Sequence, residues 1–119
     1  MAEEVRPHYH LEAWKEAMAL VKAVYAVAGH FPPDERYGLT SQVQRSAVSV
    51  PSNIAEGAAR SGAREFAQFL NIARGSLSEL ETQLLISVDL GYLERDHAVF
   101  VSIDRVSRLL TGLHKSVKE

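Results

Sequence analysis

The sequence contains no cysteine. That excludes a disulfide framework, a thiolate metal site and a cysteine nucleophile, and it fits a reducing cytoplasm, the localisation expected. No uncharged apolar run is long enough to span a bilayer, so no membrane association is expected. The start, MAEEVRPHYHLE, is acidic and lacks the apolar region of a secretory signal. Neither sign of charge dominates: 13 Lys and Arg against 15 Asp and Glu give a net charge of −2. A strongly basic nucleic-acid binder would look different, so any nucleic-acid contact must come from a local patch. Also missing are a glycine-rich phosphate loop, a nucleophile elbow and a paired-cysteine zinc motif.

What is present is helical periodicity, with no competing strand alternation. The 119 residues are enough for one domain, taken as 1–119 with residues 1–10 read as a flexible end. The first helix is expected from about Leu11 to Ala28, with Trp14, Ala17, Met18, Val21, Val24, Tyr25 and Ala28 sharing its apolar side. Gly29 and Pro32-Pro33 stop it. The second begins at Leu39, with Ser41 and Gln44 resembling a capping box, or one turn earlier at Asp34. The third runs from about Ala63 to Leu90 and ends at Gly91; at about 28 residues it is about 42 Å long. Gly75 in its interior costs up to about 1 kcal/mol relative to alanine, which points to the close approach of another backbone. The fourth runs from Asp96 to about Val117, with Val99, Ile103, Val106 and Leu110 on its apolar side. Short polar connections between long amphipathic helices imply an all-α, antiparallel up-down-up-down four-helix bundle.

The second helix carries a proline in its middle. Pro51 has no N–H, so the Ala47 carbonyl loses its helical donor, at a cost of about 3 kcal/mol in a straight interior. The helix either breaks at Val50 or bends and continues, with Ser46, Ser49 or water serving the freed groups. The apolar period of Val43, Ala47, Val50, Ile54 and Ala58 runs on through the proline, which favours a kink at Pro51. Counted from Arg45 at about 100° per residue, Ser49, Asn53, Glu56 and Arg60 fall at about 40°, 80°, 20° and 60°. These five make one hydrogen-bonding stripe roughly opposite the core face. An ordinary solvated surface is one reading. The other is a face for a partner chain, to which Gly75, Ser76 and Ser78 of the third helix also belong, because small and amide groups are poor choices for a merely exposed helix.

Two strings, LTSQVQRSAVSVPSNIAEGAAR and EFAQFLNIARGSLSELETQLLISVDLGYL, together with LEAWKEAMALVKAVY and FPPDERYGL, resemble a known family. It is the family of small four-helix-bundle proteins encoded in intervening sequences of bacterial 23S ribosomal RNA genes. The likeness runs from about Leu11 to Leu93. Many members carry an arginine where this chain has Gln44, beside Arg45, so the basic patch is weaker here. The resemblance implies a left-handed bundle that assembles into a ring-shaped homopentamer. It also implies similarity to the accessory proteins of diversity-generating retroelements, which contact nucleic acid beside a reverse transcriptase. It implies no enzymatic activity.

Two functions remain open at this point. In one, a homo-oligomer presents an RNA- or DNA-binding surface, with Arg45, Arg60, Arg64 and Arg74 as phosphate contacts. Three have an alternative use in a local salt bridge or hydrogen bond: Arg60 with Glu56, Arg64 with Glu65 or Gln68, Arg74 with Ser78 or Glu81. In the other, the chain is a protein-interaction scaffold with no nucleic-acid activity. Ser49, Asn53, Glu56, Gly75 and Ser76 are the candidate interface residues. An enzyme or a metal centre is not expected, and no cofactor is called for. The single Glu-x-x-His pair, Glu94 and His97, lies off the apolar stripe, and a di-iron bundle needs two such pairs. His8, His10 and Glu12 are closely spaced but sit near the terminus. Trp14, Tyr25, Phe66 and Phe69 read as core or interface, whereas Tyr37 and Tyr92 lie in turns and are the more accessible aromatics.

Overall fold

Amphipathic helices too polar to stand alone must bury their apolar stripes on one another, and the way they do so defines the molecule. A computed structural model describes residues 5–118 and contains four helices: α1 (Glu12–Ala28), α2 (Leu39–Ala58), α3 (Ala63–Asp89) and α4 (Ala98–Lys118). A single 3-10 turn, Pro33–Glu35, precedes α2, and no strand occurs among the described residues. Each helix packs on its two neighbours in the cycle α1, α2, α3, α4, and among the described residues the backbones of the diagonal pairs stay more than 8 Å apart, Cα to Cα. The α2–α3 pair is the most extensive. Leu20, Ile54, Leu70, Leu80, Leu84 and Leu110 are almost wholly buried in the shared core, each worth about 1.5–3 kcal/mol of transfer free energy. No helix among the described residues is long and apolar enough to cross a membrane.

The core face of α1 differs from the expected stripe. Ala13, Ala17, Leu20, Val24 and Val27 are buried, while Met18 and Tyr25 are 48% and 47% exposed. Trp14 and Val21 are half-buried. The helix is apolar over a wider arc than its two neighbours can cover. Small Ala13 and Ala17 let those neighbours come close, so that edge turns inward and the bulkier edge is left outside.

Helix α2 also starts differently. Its N-cap is Gly38, which has no side chain to offer. The Glu35 carboxylate serves instead, Oε1 accepting from the Leu39 N–H at 3.1 Å. Ser41 stands inside the first turn, so the expected capping box does not form, and Pro33–Glu35 is a separate turn rather than an earlier start of α2. The other Glu35 oxygen, Oε2, accepts from the Tyr92 hydroxyl at 3.0 Å, and the Tyr92 ring lies 5.6 Å from that of Phe31. Tyr92 is delivered there by the end of α3: Gly91 has φ +83°, and the Gly91 and Tyr92 N–H groups return to the carbonyls of Val88 and Ser87. This is the paired bonding of a Schellman ending, for which glycine is the suited residue.

Helix α2 runs through Pro51 as one helix, so the break at Val50 does not occur. Ser46 and Ser49 do not serve freed backbone groups. The Ser46 hydroxyl donates to Gln83 Oε1 at 2.9 Å, and the Ser49 and Ser76 hydroxyls bond at 2.8 Å. Within this chain the close helix approach is at Gly57 and not at Gly75. A Cβ at Gly75 would meet nothing within 4 Å, whereas one at Gly57 would lie 2.6 Å from Phe69 Cβ and 3.0 Å from Phe66 Cδ1. Of the ten residues expected to form a flexible end, residues 1–4 lie outside those described. In the remainder a turn sets the His8 ring edge-on to Trp14, with centroids 4.8 Å apart.

Two outcomes follow from this packing. Gly57→Ala destabilises the protein by about 1–3 kcal/mol through overpacking. Gly75→Ala, placed in open space, gains up to about 1 kcal/mol of helix propensity. Urea unfolding of both variants checks the contrast. The second concerns Tyr92, whose phenol is raised above its ordinary value of 10.0, first by the hydrogen bond to Glu35, then by lost hydration and the negative charges of Glu35 and Asp34. A raised folded-state value favours the neutral phenol. Its stabilisation is therefore complete below the unfolded-state value near 10 and is lost as pH climbs through the folded-state value. Unfolding measured from pH 8 to 11 shows an alkaline decline that is smaller in Tyr92→Phe.

Candidate nucleic-acid interface

The four arginines reach the surface from three places. Arg45 projects from the first half of α2, Arg60 from the short connection after α2, and Arg64 and Arg74 from the first half of α3. Fifteen residues of helix and turn separate Arg45 from Arg60, about 22 Å along the axis, so these four do not form one compact patch. Arg45 lines a groove between α2 and α3 with Ser41, Gln42 and Glu79. Arg74 lines a groove between α3 and α4 that also carries Glu81 and Asp104. Arg64 lies in a third groove with Gln68, Asn71, His114 and Lys118, and no carboxylate lines it.

None of the four forms an ion pair with a described carboxylate. The ion pairs between described helix residues belong to other cations: Lys15 with Glu12 at 3.5 Å and Arg105 with Glu16 at 3.1 Å. The salt bridges expected for Arg60, Arg64 and Arg74 are therefore not made. Arg60 instead lies over the Phe69 ring, 5.0 Å from its centroid, where the ring quadrupole attracts the cation. Arg74 donates to Asn71 Oδ1 at 3.2 Å, one turn back on α3, rather than to Ser78 or Glu81. Three of these guanidinium groups, those of Arg45, Arg60 and Arg64, make no hydrogen bond among the described residues, which leaves them able to take phosphate oxygens.

The polar stripe of α2 does not lie opposite the core. Its middle turns toward α3 of the same chain. Ser49 bonds Ser76, and the Asn53 amide donates to both the carbonyl and the hydroxyl of Ser49, at 2.8 and 3.0 Å. Small side chains on this flank allow α2 and α3 to lie close. Glu56 and Gly75 remain exposed. Three residues that the polar count left out complete the seam. Gln83 is only 8% exposed and accepts from buried Ser46, while Ser87 returns its hydroxyl to the Gln83 carbonyl at 2.9 Å. Only part of the sign was available: counted at about 100° per residue, Ser87 falls within the apolar arc of α3, where a polar residue needs a partner, whereas Ser46 and Gln83 each lie about 40° beyond the edge of theirs.

Elsewhere the chemistry is structural. His97 precedes α4, and its Nδ1 accepts from the Val99 N–H at 3.0 Å, so the ring caps the helix. No group of three or more His, Cys, Asp or Glu side chains that could hold a metal ion occurs among the described residues. A further surface was not singled out, although Trp14 and Tyr25 of α1's stripe were read as core or interface. Trp14, Met18, Val21, Val48, Pro51 and Ala55 line an open, mostly apolar groove between α1 and α2.

These features define an all-α protein of four helices whose surface offers polar and apolar grooves. The chain matches the family described as 23S rRNA-intervening sequence protein over residues 9–112. It belongs to that family. No match is found among curated proteins.

The buried pair gives a sharp expectation. Ser46→Ala leaves the Gln83 carbonyl oxygen without its donor and costs about 1–3 kcal/mol. Adding Gln83→Leu recovers part of that loss, because neither polar atom then remains. A double-mutant cycle by chemical denaturation measures the coupling.

Proposed function

We propose that this chain is a non-enzymatic, cytoplasmic homo-oligomer that presents arginines to RNA or DNA. Its assembly is the pentamer implied by its resemblance, built from antiparallel, left-handed up-down-up-down bundles with α2 bent at Pro51. The observation that carries the nucleic-acid reading is the set of guanidinium groups without carboxylate partners in a chain of net charge −2. Charge left unpaired at Arg45, Arg60 and Arg64 is a local source of the phosphate attraction that the molecule as a whole lacks. The antiparallel arrangement draws support from the α2–α3 register, where Ser46 meets Gln83, Ser49 meets Ser76 and Gly57 meets Phe69. The partner number falls as the α2 number rises.

Assembly draws support from the exposed edge of α1. Met18 and its groove neighbours expose apolar surface that a second chain would cover. Glu56 and Gly75 are exposed and free for such a contact, whereas Ser49, Asn53 and Ser76 are bonded to one another. The same apolar groove favours a second reading, a protein-interaction scaffold without nucleic-acid activity.

Electrophoretic shift with a structured RNA separates the two. Under the first reading affinity falls steeply from 50 to 200 mM salt, and Arg64→Ala weakens binding and reduces the salt slope by about 1. Binding that is flat with salt, or no shift at all, rejects it. Light scattering measures the assembly, and a mass of one chain rejects the oligomer.

A further inference from the structure

Resting on the nucleic-acid reading above, we propose that Tyr37, Arg36 and the groove leading to Gln83 form a stacking site for an unpaired base of a single strand. Tyr37 is 87% exposed, far more than Tyr25 at 47% or Tyr9. Its backbone is nonetheless held. It lies between the 3-10 turn and α2, where the Arg36 N–H returns to the Pro33 carbonyl and the Gly38 N–H to that of Glu35. The adjoining Glu35 carboxylate is bonded to both Leu39 and Tyr92. A fixed backbone carrying a bare ring loses little entropy when a flat partner settles on it. The Arg36 guanidinium carbon lies 5.3 Å from the ring centroid, so a cation already accompanies the platform. Aromatic rings beside arginines are the recurring means of holding single-stranded nucleic acid.

The groove that begins at this ring supplies the rest. It has a volume of about 460 Å³ and is lined by Ser41, Gln42, Arg45, Glu79 and Gln83 as well as Tyr37, within the range of small-ligand sites. Gln83 is more than nine-tenths buried; its Oε1 is taken by Ser46, and its amide nitrogen has no hydrogen-bond partner among the described residues. That nitrogen reaches the groove rather than being sealed off, so it is free to donate to an acceptor on a bound base. The one carboxylate, Glu79, repels phosphate but accepts from an exocyclic amino group. Phosphates therefore lie toward Arg36 and Arg45, and the base edge toward Gln83 and Glu79. In a duplex the base faces are covered, so the site selects unpaired bases, and those bearing an exocyclic amino group, adenine, cytosine and guanine, over uracil.

Fluorescence anisotropy with labelled single-stranded A10, C10 and U10 and with an A10·U10 duplex tests this in the full chain. A10 and C10 bind more tightly than U10 or the duplex. Tyr37→Ala weakens A10 binding about 5- to 150-fold, the worth of one stacked base, while Tyr37→Phe retains it. The ring is so exposed that neither change alters the unfolding midpoint. If Tyr37→Ala binds A10 as the wild type does while Arg64→Ala does not, the stacking site is wrong and the broader nucleic-acid reading stands. If the wild type binds no nucleic acid, both fall.

Discussion

The seam between α2 and α3 is the constraint on which the rest of the molecule depends. Gly57 lies so close to Phe66 and Phe69 that no side chain fits there. A few turns away, Ser46 and Gln83 place a hydrogen bond within an otherwise apolar layer. Apolar contact alone is tolerant of slippage, since one leucine can replace another. A buried donor and acceptor are not, because a slip of one turn leaves both without partners and without water. The polar pair therefore fixes the register that the apolar residues make stable. With that register set, Ser49 meets Ser76, the grooves on either side of α3 take their shape, and Arg45 and Arg64 fall into different ones.

The charge distribution has a matching logic. A net charge of −2 gives no long-range attraction for a polyanion. What the surface offers is local: arginines that no neighbouring carboxylate neutralises, one beside an aromatic ring and one beside His114 and Lys118. Arg74 shows the contrast, sharing its groove with Glu81 and Asp104. Two arginines of the same helix thus stand in opposite electrostatic settings.

Much of the fold was legible in the sequence. The four helices lie within a residue or two of where periodicity and Gly or Pro stops placed them, because a 3.6-residue repeat is a property of local sequence. What periodicity does not encode is coverage. The α1 stripe spans Trp14 to Ala28, but only packing decides that Ala13 and Leu20 go inside while Met18 and Tyr25 stay out. Gly75 has a related lesson: a glycine in a helix shows that a side chain is absent, not what occupies the space, and within this chain nothing does. The capping box failed because Glu35, from the preceding turn, reached the first N–H of α2 before Ser41 could matter. Among the site residues, the arginines were visible as types, yet their lack of partners was not. Tyr37 and Tyr92 looked alike in sequence, each in a turn, and only the fold separates an exposed ring from one bonded to Glu35.

That Glu35 carboxylate joins segments remote along the chain. One oxygen holds the first amide of α2 and the other holds the hydroxyl just past α3. The opening equilibria of the two connections are consequently not independent. A fluctuation that frees Tyr92 also loosens the start of α2, so the Leu39 amide reports, through its solvent exchange, on events 53 positions downstream in sequence, about half the chain away.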